Sequence, residues 1–345
     1  MAGQRRALEY RRVRVILAIE TSCDDTCAAL VTDDGEVRSN VISSQGVHDR
    51  YGGVVPEIAS RHHLELIGEV IDDALRRAQT GLDAVRLVAV TRGPGLVGAL
   101  LVGLATAKAL AAAHELPLAA VDHLHGHVAA SFLGPTPFEP PFLSLVASGG
   151  HTFLARVSAH DDSFELLGRT LDDAAGEAFD KGARMLGLGY PGGAALERIA
   201  LDGDPNAFAF PTASRVSGLD FSFAGLKTAL LYRVRDLGEA EAERRRLDLA
   251  ASYQRAIVES LALRVERALA QTGLRRLALG GGVAANEALR ERLRRLEVQF
   301  DVPSRELCTD NAAMIASAAR YVPQLPFPAY LELDAYANGE RAAGP

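Results

Sequence analysis

The chain of 345 residues has no tryptophan, only three methionines and three cysteines, and an aromatic content of 6%. The cysteines, Cys23, Cys27 and Cys308, have neither the number nor the spacing of a disulfide framework or a zinc ribbon. They predict a reducing, cytoplasmic setting. No apolar run reaches the roughly 20 residues that a membrane span needs. Positive charge is also in deficit: the net charge of −7 excludes a general nucleic-acid coat, so any contact with RNA has to be local. Two motifs are missing as well. Without GxxxxGK[ST] the chain is not a P-loop ATPase, and without His-Glu-x-x-His it is not a zinc protease of that type.

The apolar fraction of 48% is enough for a large core, and the length predicts two lobes. The opening MAGQRRALEYRRVRV is basic but lacks a long apolar stretch and a small-residue cleavage site, so it reads as a solvated tail. Arginine clusters at Arg244 to Arg246, Arg275-Arg276 and Arg290 to Arg295 are interleaved with glutamates and read first as solvated helix faces.

Along the chain, VILAIETS and TCAALVTDDGEVRSNVIS predict three extended runs with a turn at the DDG. A helix follows from Pro56, then the β-branched run LVAVTRGPG, a helix over about 96–114, and LPLAAVDHL. The second half repeats this grammar. PFLSLVASGGHTFLARVS and SFELLGRT read as three strands turning at Gly149-Gly150, and helices, the strand RRLALGGG, a helix, a short VQF strand and a last helix from about Asn311 come after. Asp172-Asp173 are expected to open one of these helices as caps. Two halves with the same order suggest an internal duplication. The order is that of the α/β actin-like ATPase fold (acetate and sugar kinases, Hsp70, actin), two lobes with a ligand cleft between them. The expected division is a basic tail over 1–14, a first lobe over 15–135, a second lobe over 136–322 and a C-terminal tail over 323–345.

In such a fold the hairpin turns face the cleft, where backbone N–H groups can meet phosphate. ETSCDDT at 20–26, ASGGHT at 147–152 and GGGVAAN at 280–286 occupy such places. Gly93-Pro94-Gly95 with Gly98 reads instead as a strand–helix turn whose small residues allow close packing. Asp24 lies beside a phosphate-type turn, where a carboxylate is repulsive unless it holds a metal, a water or a hydroxyl, or forms an Asx turn.

HLHGH places three of the nine histidines within five positions. An extended stretch would put His123, His125 and His127 on one face, whereas a helix would stack only His123 and His127. Spacing alone leaves both open.

ETSCDDT, GGVVPEIASRHH, TRGPGLVGALLVG, HLHGH, ASGGHT, LDDAAGEAFDKGARMLGLGYPGG, FSFAGLKT, GGGVAAN and CTDNAAMIA together resemble the successive signatures of the universal tRNA threonylcarbamoyladenosine transferase family, once labelled O-sialoglycoprotein endopeptidase. The resemblance covers about residues 15–320 in order. It implies the actin-like fold and transfer of the L-threonylcarbamoyl group from threonylcarbamoyl-AMP to N6 of adenosine 37, in tRNAs that read codons beginning with A. Carried over position by position, it implies His123, His127 and Asp310 as metal ligands. It implies Val146, Ala147, Ser148, Gly149, Gly150, Asp180, Gly193 and Asn286 as adenylate-binding positions, with Glu197 beside the last cleft turn as a further candidate. His125 maps onto no ligand, which selects the helical reading of HLHGH. Two imidazoles and a carboxylate suit iron(II), with zinc as the alternative. Asp24 is the candidate for a polar role at the reacting centre. The implied partners are tRNA, an inactive paralogue of the same fold and a P-loop ATPase. The opening tail and the stretch after Pro323 lie outside the signatures and receive no role.

Overall fold

The computed structural model describes residues 14–337 apart from 52, 162, 190, 191 and 213–215. The basic tail expected over 1–14 lies outside the described residues except for Arg14.

The first half contains β1 (Val15–Glu20), β2 (Asp25–Thr32), β3 (Val37–Ser44), α1 (Pro56–Arg77), β4 (Val85–Gly93), α2 (Val97–Ala113), β5 (Leu118–Asp122) and α3 (His123–Ala129). The second half contains β6 (Phe142–Ala147), β7 (Thr152–Val157), β8 (Glu165–Arg169), α4 (Ala175–Met185), α5 (Gly192–Ala200), α6 (Ala224–Leu237), α7 (Glu239–Arg244) and α8 (Arg246–Thr272). It continues with β9 (Arg276–Gly280), α9 (Glu287–Arg294), β10 (Gln299–Asp301), α10 (Arg305–Cys308) and α11 (Ala312–Ala319).

The first sheet has the order β3-β2-β1-β4-β5, and the second, read from its far edge, runs β8-β7-β6-β9-β10. Each opens with an antiparallel three-strand meander and adds two parallel strands. The two halves therefore share one topology, as the repeated grammar predicts. Among the described residues no helix is long and apolar enough to cross a membrane.

Strand β1 is buried along its whole length because helices cover both faces of its sheet. Its side chains alternate between two cores. Leu17 and Ile19 join the core under α1 and α2, whereas Ile16 and Ala18 enter a middle layer. That layer also takes Phe142 and Val146 from β6, Val128 from α3 and Met314 and Ile315 from α11. Helices α3 and α11 thus lie between the two sheets, and they pack on each other. The last helix, which the sequence groups with the second lobe, packs here mainly on the first sheet.

The stretch after Pro323 also returns to the first lobe. Leu325 exchanges backbone hydrogen bonds with Leu118 at the edge of β5 (3.0 and 2.8 Å). Tyr330 is fully buried in the core of that lobe. Lys108 Nζ on α2 donates to the carbonyls of Leu331 (2.9 Å) and Leu333 (2.5 Å).

Candidate functional site

Alternation along β1 decides what reaches the middle layer. Glu20 follows Ile16 and Ala18 on the same face, so a carboxylate is delivered into an apolar seam, where it is fully buried. Its charge is met on every side. Ser22 N–H donates to Oε1, Thr91 Oγ1 donates to Oε2 (2.5 Å), and His123 Nδ1 lies 2.9 Å from Oε2. Ser22 Oγ is a second neighbour of that ring nitrogen, at 3.2 Å.

HLHGH is the start of a helix. Asp122 caps α3 by accepting from the N–H groups of Leu124 (2.8 Å) and His125 (3.2 Å). Four residues apart, His123 and His127 stack on one face, ring centroids 4.7 Å apart. His125 points elsewhere and lines a cavity of about 440 Å³ with Leu124, Phe153, Phe164 and Arg169.

Asp310 closes the group from the loop between α10 and α11. Asn311 locks that loop: it is fully buried, caps α11 through Met314 N (2.9 Å) and donates to the carbonyl of Thr309 (2.8 Å). Cys27 Sγ donates to the Asp310 carbonyl (3.7 Å). Asp310 Oδ1 stands 3.5 Å from His123 Nε2 and 3.2 Å from His127 Nε2. One ligand atom from each of the three residues lies within 4.8 Å of the other two.

The donor set fits a divalent transition metal. Both ring nitrogens of His127 are buried without a hydrogen bond of proper geometry, a costly state for a polar group. A cation between the three residues removes that cost at Nε2. The Glu20 carboxylate takes the proton on His123 Nδ1 and leaves Nε2 aimed at the cation, the carboxylate–histidine–metal arrangement. Opposite charges also draw these residues together. Burial works against ionised Asp310, but the His123 and His127 charges outweigh it and hold the carboxyl well below its usual range. Burial alone would lower His123, and the Asp310 and Glu20 carboxylates push it up to about 9 instead.

His151 completes the neighbourhood. Its ring centroid is 6.1 Å from that of His123. Burial, followed by the His123 and His127 charges, lowers its pKa to about 4, so it stays neutral. Glu20 and His151 lie within the ETSCDDT and ASGGHT turns, but the sequence does not mark them as neighbours of the triad: Glu20 ends an otherwise apolar strand and His151 follows a glycine pair.

The remaining sequence candidates lie around this centre. Asp24 sits partly buried in the bend between β1 and β2, its carbonyl accepting from Gln45 N (3.2 Å). Its neighbour Asp25 is raised to about 7, by burial and then, against a Ser44 hydrogen bond, by the charges of Asp310, Asp24 and Glu20. His63 on α1 holds the same bend, its Nε2 2.9 Å from the Cys23 carbonyl.

The side chains of Val146 and Ala147 belong to the cores, so these two residues present backbone only. Ser148 closes the turn on itself, with Ser148 N donating to His151 O (2.7 Å) and His151 N to Ser148 Oγ (3.0 Å). That leaves Gly149 and Gly150 exposed, with open space where a side chain would stand. Gly281, at φ +85°, lies so close to the Ala147 carbonyl that a Cβ would sit 2.3 Å from its oxygen.

Asp180 and Glu197 act as caps for other helices. Asp180 Oδ1 accepts from Gly192 N (2.9 Å) and Gly193 N (3.1 Å) at the start of α5. Glu197 Oε1 accepts from Glu287 N (2.7 Å) at the start of α9. Asn286 caps α9 through Leu289 N (3.0 Å) and donates to Gln254 on α8 (2.9 Å). Asp172, expected to cap its own helix, instead receives Phe223 N (2.7 Å) and Ala224 N (3.2 Å) at the start of α6. The arginine clusters are engaged locally: Arg244 pairs with Glu241, Arg245 with Asp248, Arg246 with Glu243, and Arg292 with Glu259 and Glu266.

Comparison with known proteins agrees with this geometry. The profile of the TsaD family, tRNA N6-adenosine threonylcarbamoyltransferase, matches residues 36–317. A protein of that name from Symbiobacterium thermophilum is 53% identical over 313 residues, 89% of this chain and 91% of that one. One from Anaeromyxobacter sp. is 51% identical over 334 residues, 95% and 96% of the two chains. Among solved structures, component A of the Acidaminococcus fermentans (R)-2-hydroxyglutaryl-CoA dehydratase has the same fold. Its TM-score is 0.54 at 16% identity, over 90% of this chain and 97% of that one. The architecture is the two-lobed actin-like ATPase fold.

Proposed function

This chain belongs to the tRNA N6-adenosine threonylcarbamoyltransferase family, transferases acting on tRNA, and we propose that its interlobe site carries out that transfer. The threonylcarbamoyl group passes from threonylcarbamoyl-AMP to N6 of adenosine 37 in tRNAs reading codons that begin with A. The N6 nitrogen bonds to the carbamoyl carbon, the bond from that carbon to the phosphate oxygen breaks, AMP departs and N6 loses a proton. The observation that carries the reading is the triad of buried His123 and His127 and half-buried Asp310 between two lobes, with an exposed glycine turn next to it.

Each part of the chain has a task in this reading. Gly149 and Gly150 offer backbone N–H groups to the phosphate, Ser148 closes the turn that presents them, and Val146 and Ala147 position that turn from within β6. Asp180, Gly193, Glu197 and Asn286 form a chain of capped helix starts that shapes the far side of the nucleotide pocket. Asp24 supplies a polar group on the first-lobe side of the reacting carbon. His123, His127 and Asp310 hold one divalent metal, iron(II) with zinc as the alternative. Once bound, such an ion supplies Lewis-acid polarisation to an acyl transfer. Helices α3 and α11, packed in the apolar middle layer, keep water from the back of the site.

We further propose a cytoplasmic protein that works with an inactive paralogue of its own fold and a P-loop ATPase. Free cysteines support the compartment. Exposed apolar side chains at Leu64 on α1 and Val97 and Leu101 on α2 support a partner surface. The direct test incubates the chain with the adenylate and unmodified tRNA and measures modified adenosine, with the His123→Ala, His127→Ala pair as control. Nucleotide binding without modified product, in the presence of the partner proteins, would refute a catalytic role.

A further inference from the structure

The stretch after Pro323, which the family signatures do not reach, passes against the cap of the helix that carries His123 and His127. Tyr336 Oη donates to Asp122 Oδ2 at 2.5 Å. The other oxygen of that carboxylate accepts the two backbone N–H groups that start α3. We propose that Tyr336 is a positioning residue for the triad: by pinning the Asp122 carboxylate it fixes the first turn of α3, and with it His123 and His127. The inference rests on the reading of the triad as a metal site.

Helix α3 has seven residues, too few to be stable without end contacts. A capping carboxylate bound through one oxygen can swing about its χ2 axis, and a second anchor on the other oxygen stops that motion. The phenol is itself delivered rigidly. Tyr336 N donates to the Arg92 carbonyl (3.2 Å), Arg92 Nε donates to the Asp334 carbonyl (2.8 Å), and Gly95 N donates to the Ala337 carbonyl (3.3 Å). The ring fits against Gly93, where a Cβ would lie 2.4 Å from the Tyr336 carbonyl oxygen and 2.8 Å from the ring. Upstream, Lys108 ties the same strap to α2. Hydrogen bonds, the last of them between the Tyr336 and Asp122 side chains, therefore connect the C-terminal strap to a helix that carries two of the three ligands.

The test uses full-length protein loaded with cobalt(II), whose absorption reports the site, and chelator competition to obtain the dissociation constant. Tyr336→Phe keeps the ring in its seat and removes only the hydroxyl. It should weaken cobalt about tenfold, at the low end for an outer-shell partner, and lower the melting temperature of the metal-free protein less than Asp122→Ala does. In an Asp122→Ala background the same substitution should have no further effect. Cobalt affinity within twofold of wild type in Tyr336→Phe overturns the proposal, and so does a full second loss in the Asp122→Ala background. If the wild type binds no cobalt, the metal reading fails and the proposal with it. A protein that binds cobalt but transfers nothing contradicts only the transferase reading.

Discussion

Glu20 Oε2 lies 2.9 Å from His123 Nδ1, and the two residues are 103 positions apart in the chain. Strand β1 thereby sets the tautomer of a ring on α3. Glu20→Gln keeps the size of the side chain but replaces the carboxylate with an amide. Metal affinity should fall roughly 10–100-fold, read as metal retained after dialysis at fixed free-metal concentration.

His125 and His127 are neighbours in sequence with different fates. His127→Ala should abolish stoichiometric metal and cut transfer by more than the 10–100-fold typical of an outer-shell residue. His125→Ala should keep the metal, since His125 is not among the three residues whose ligand atoms cluster. Equal metal loss in both variants would mean that the helical assignment of ligands is wrong.

Asp25 gives the metal-free protein a pH dependence. Its folded pKa of about 7 lies above the ordinary 3.8, so between these values the unfolded chain releases a proton that the folded chain retains. Stability therefore declines as pH rises through this window and levels off above it. Melting temperatures in chelator at pH 5 and pH 8 should show a larger drop for wild type than for Asp25→Asn. Metal loading should lower the Asp25 pKa, because a cation offsets the charge of Asp310.

Gly281 tests the frame behind the glycine turn. Gly281→Ala meets both a left-handed backbone and the Ala147 carbonyl. It should cost on the order of 1–3 kcal/mol in denaturant unfolding and weaken nucleotide binding, since Ala147 leads directly into Ser148. A variant as stable as wild type would show that β6 and the 282–285 turn are free to separate.

Asp180→Ala removes the acceptor shared by Gly192 and Gly193, with an expected cost of about 0.5–2 kcal/mol, as for other lost caps. Glu197→Ala should do the same to α9. A dissociation constant for the adenylate that rises in each variant supports the linked-cap view of the nucleotide pocket; an unchanged constant in both would remove these helices from it.

Much of the fold was legible because its signals are local. The alternation in VILAIE, the proline before IASRHH and the Gly149-Gly150 turn each act within a few residues, and the elements fall where those signals place them. Spacing alone leaves HLHGH open and the resemblance selects its helical reading; the local signal for it is the Asp122 cap. The rest depended on facts that are not local. Glu20 becomes a partner of His123 only once α3 packs against the inner face of β1. Asp172 reaches forward to α6 because the Thr170–Phe221 bridge brings that helix start beside it. The strap over 323–337 has no period to read, since backbone bonds to Leu118 and the Lys108 ammonium hold it in place.

Asp310 enters the site from a loop 283 residues beyond the Cys27 thiol that touches its carbonyl. During synthesis, which proceeds from the N-terminus, the two histidines emerge long before the carboxylate that completes their set. A nascent first lobe can hold Glu20 against His123 but has no third ligand, and α11 is not yet there to cover the inner face of its sheet. For the proposed metal site, uptake therefore waits until Asp310 has been synthesised and α11 has packed on the first sheet.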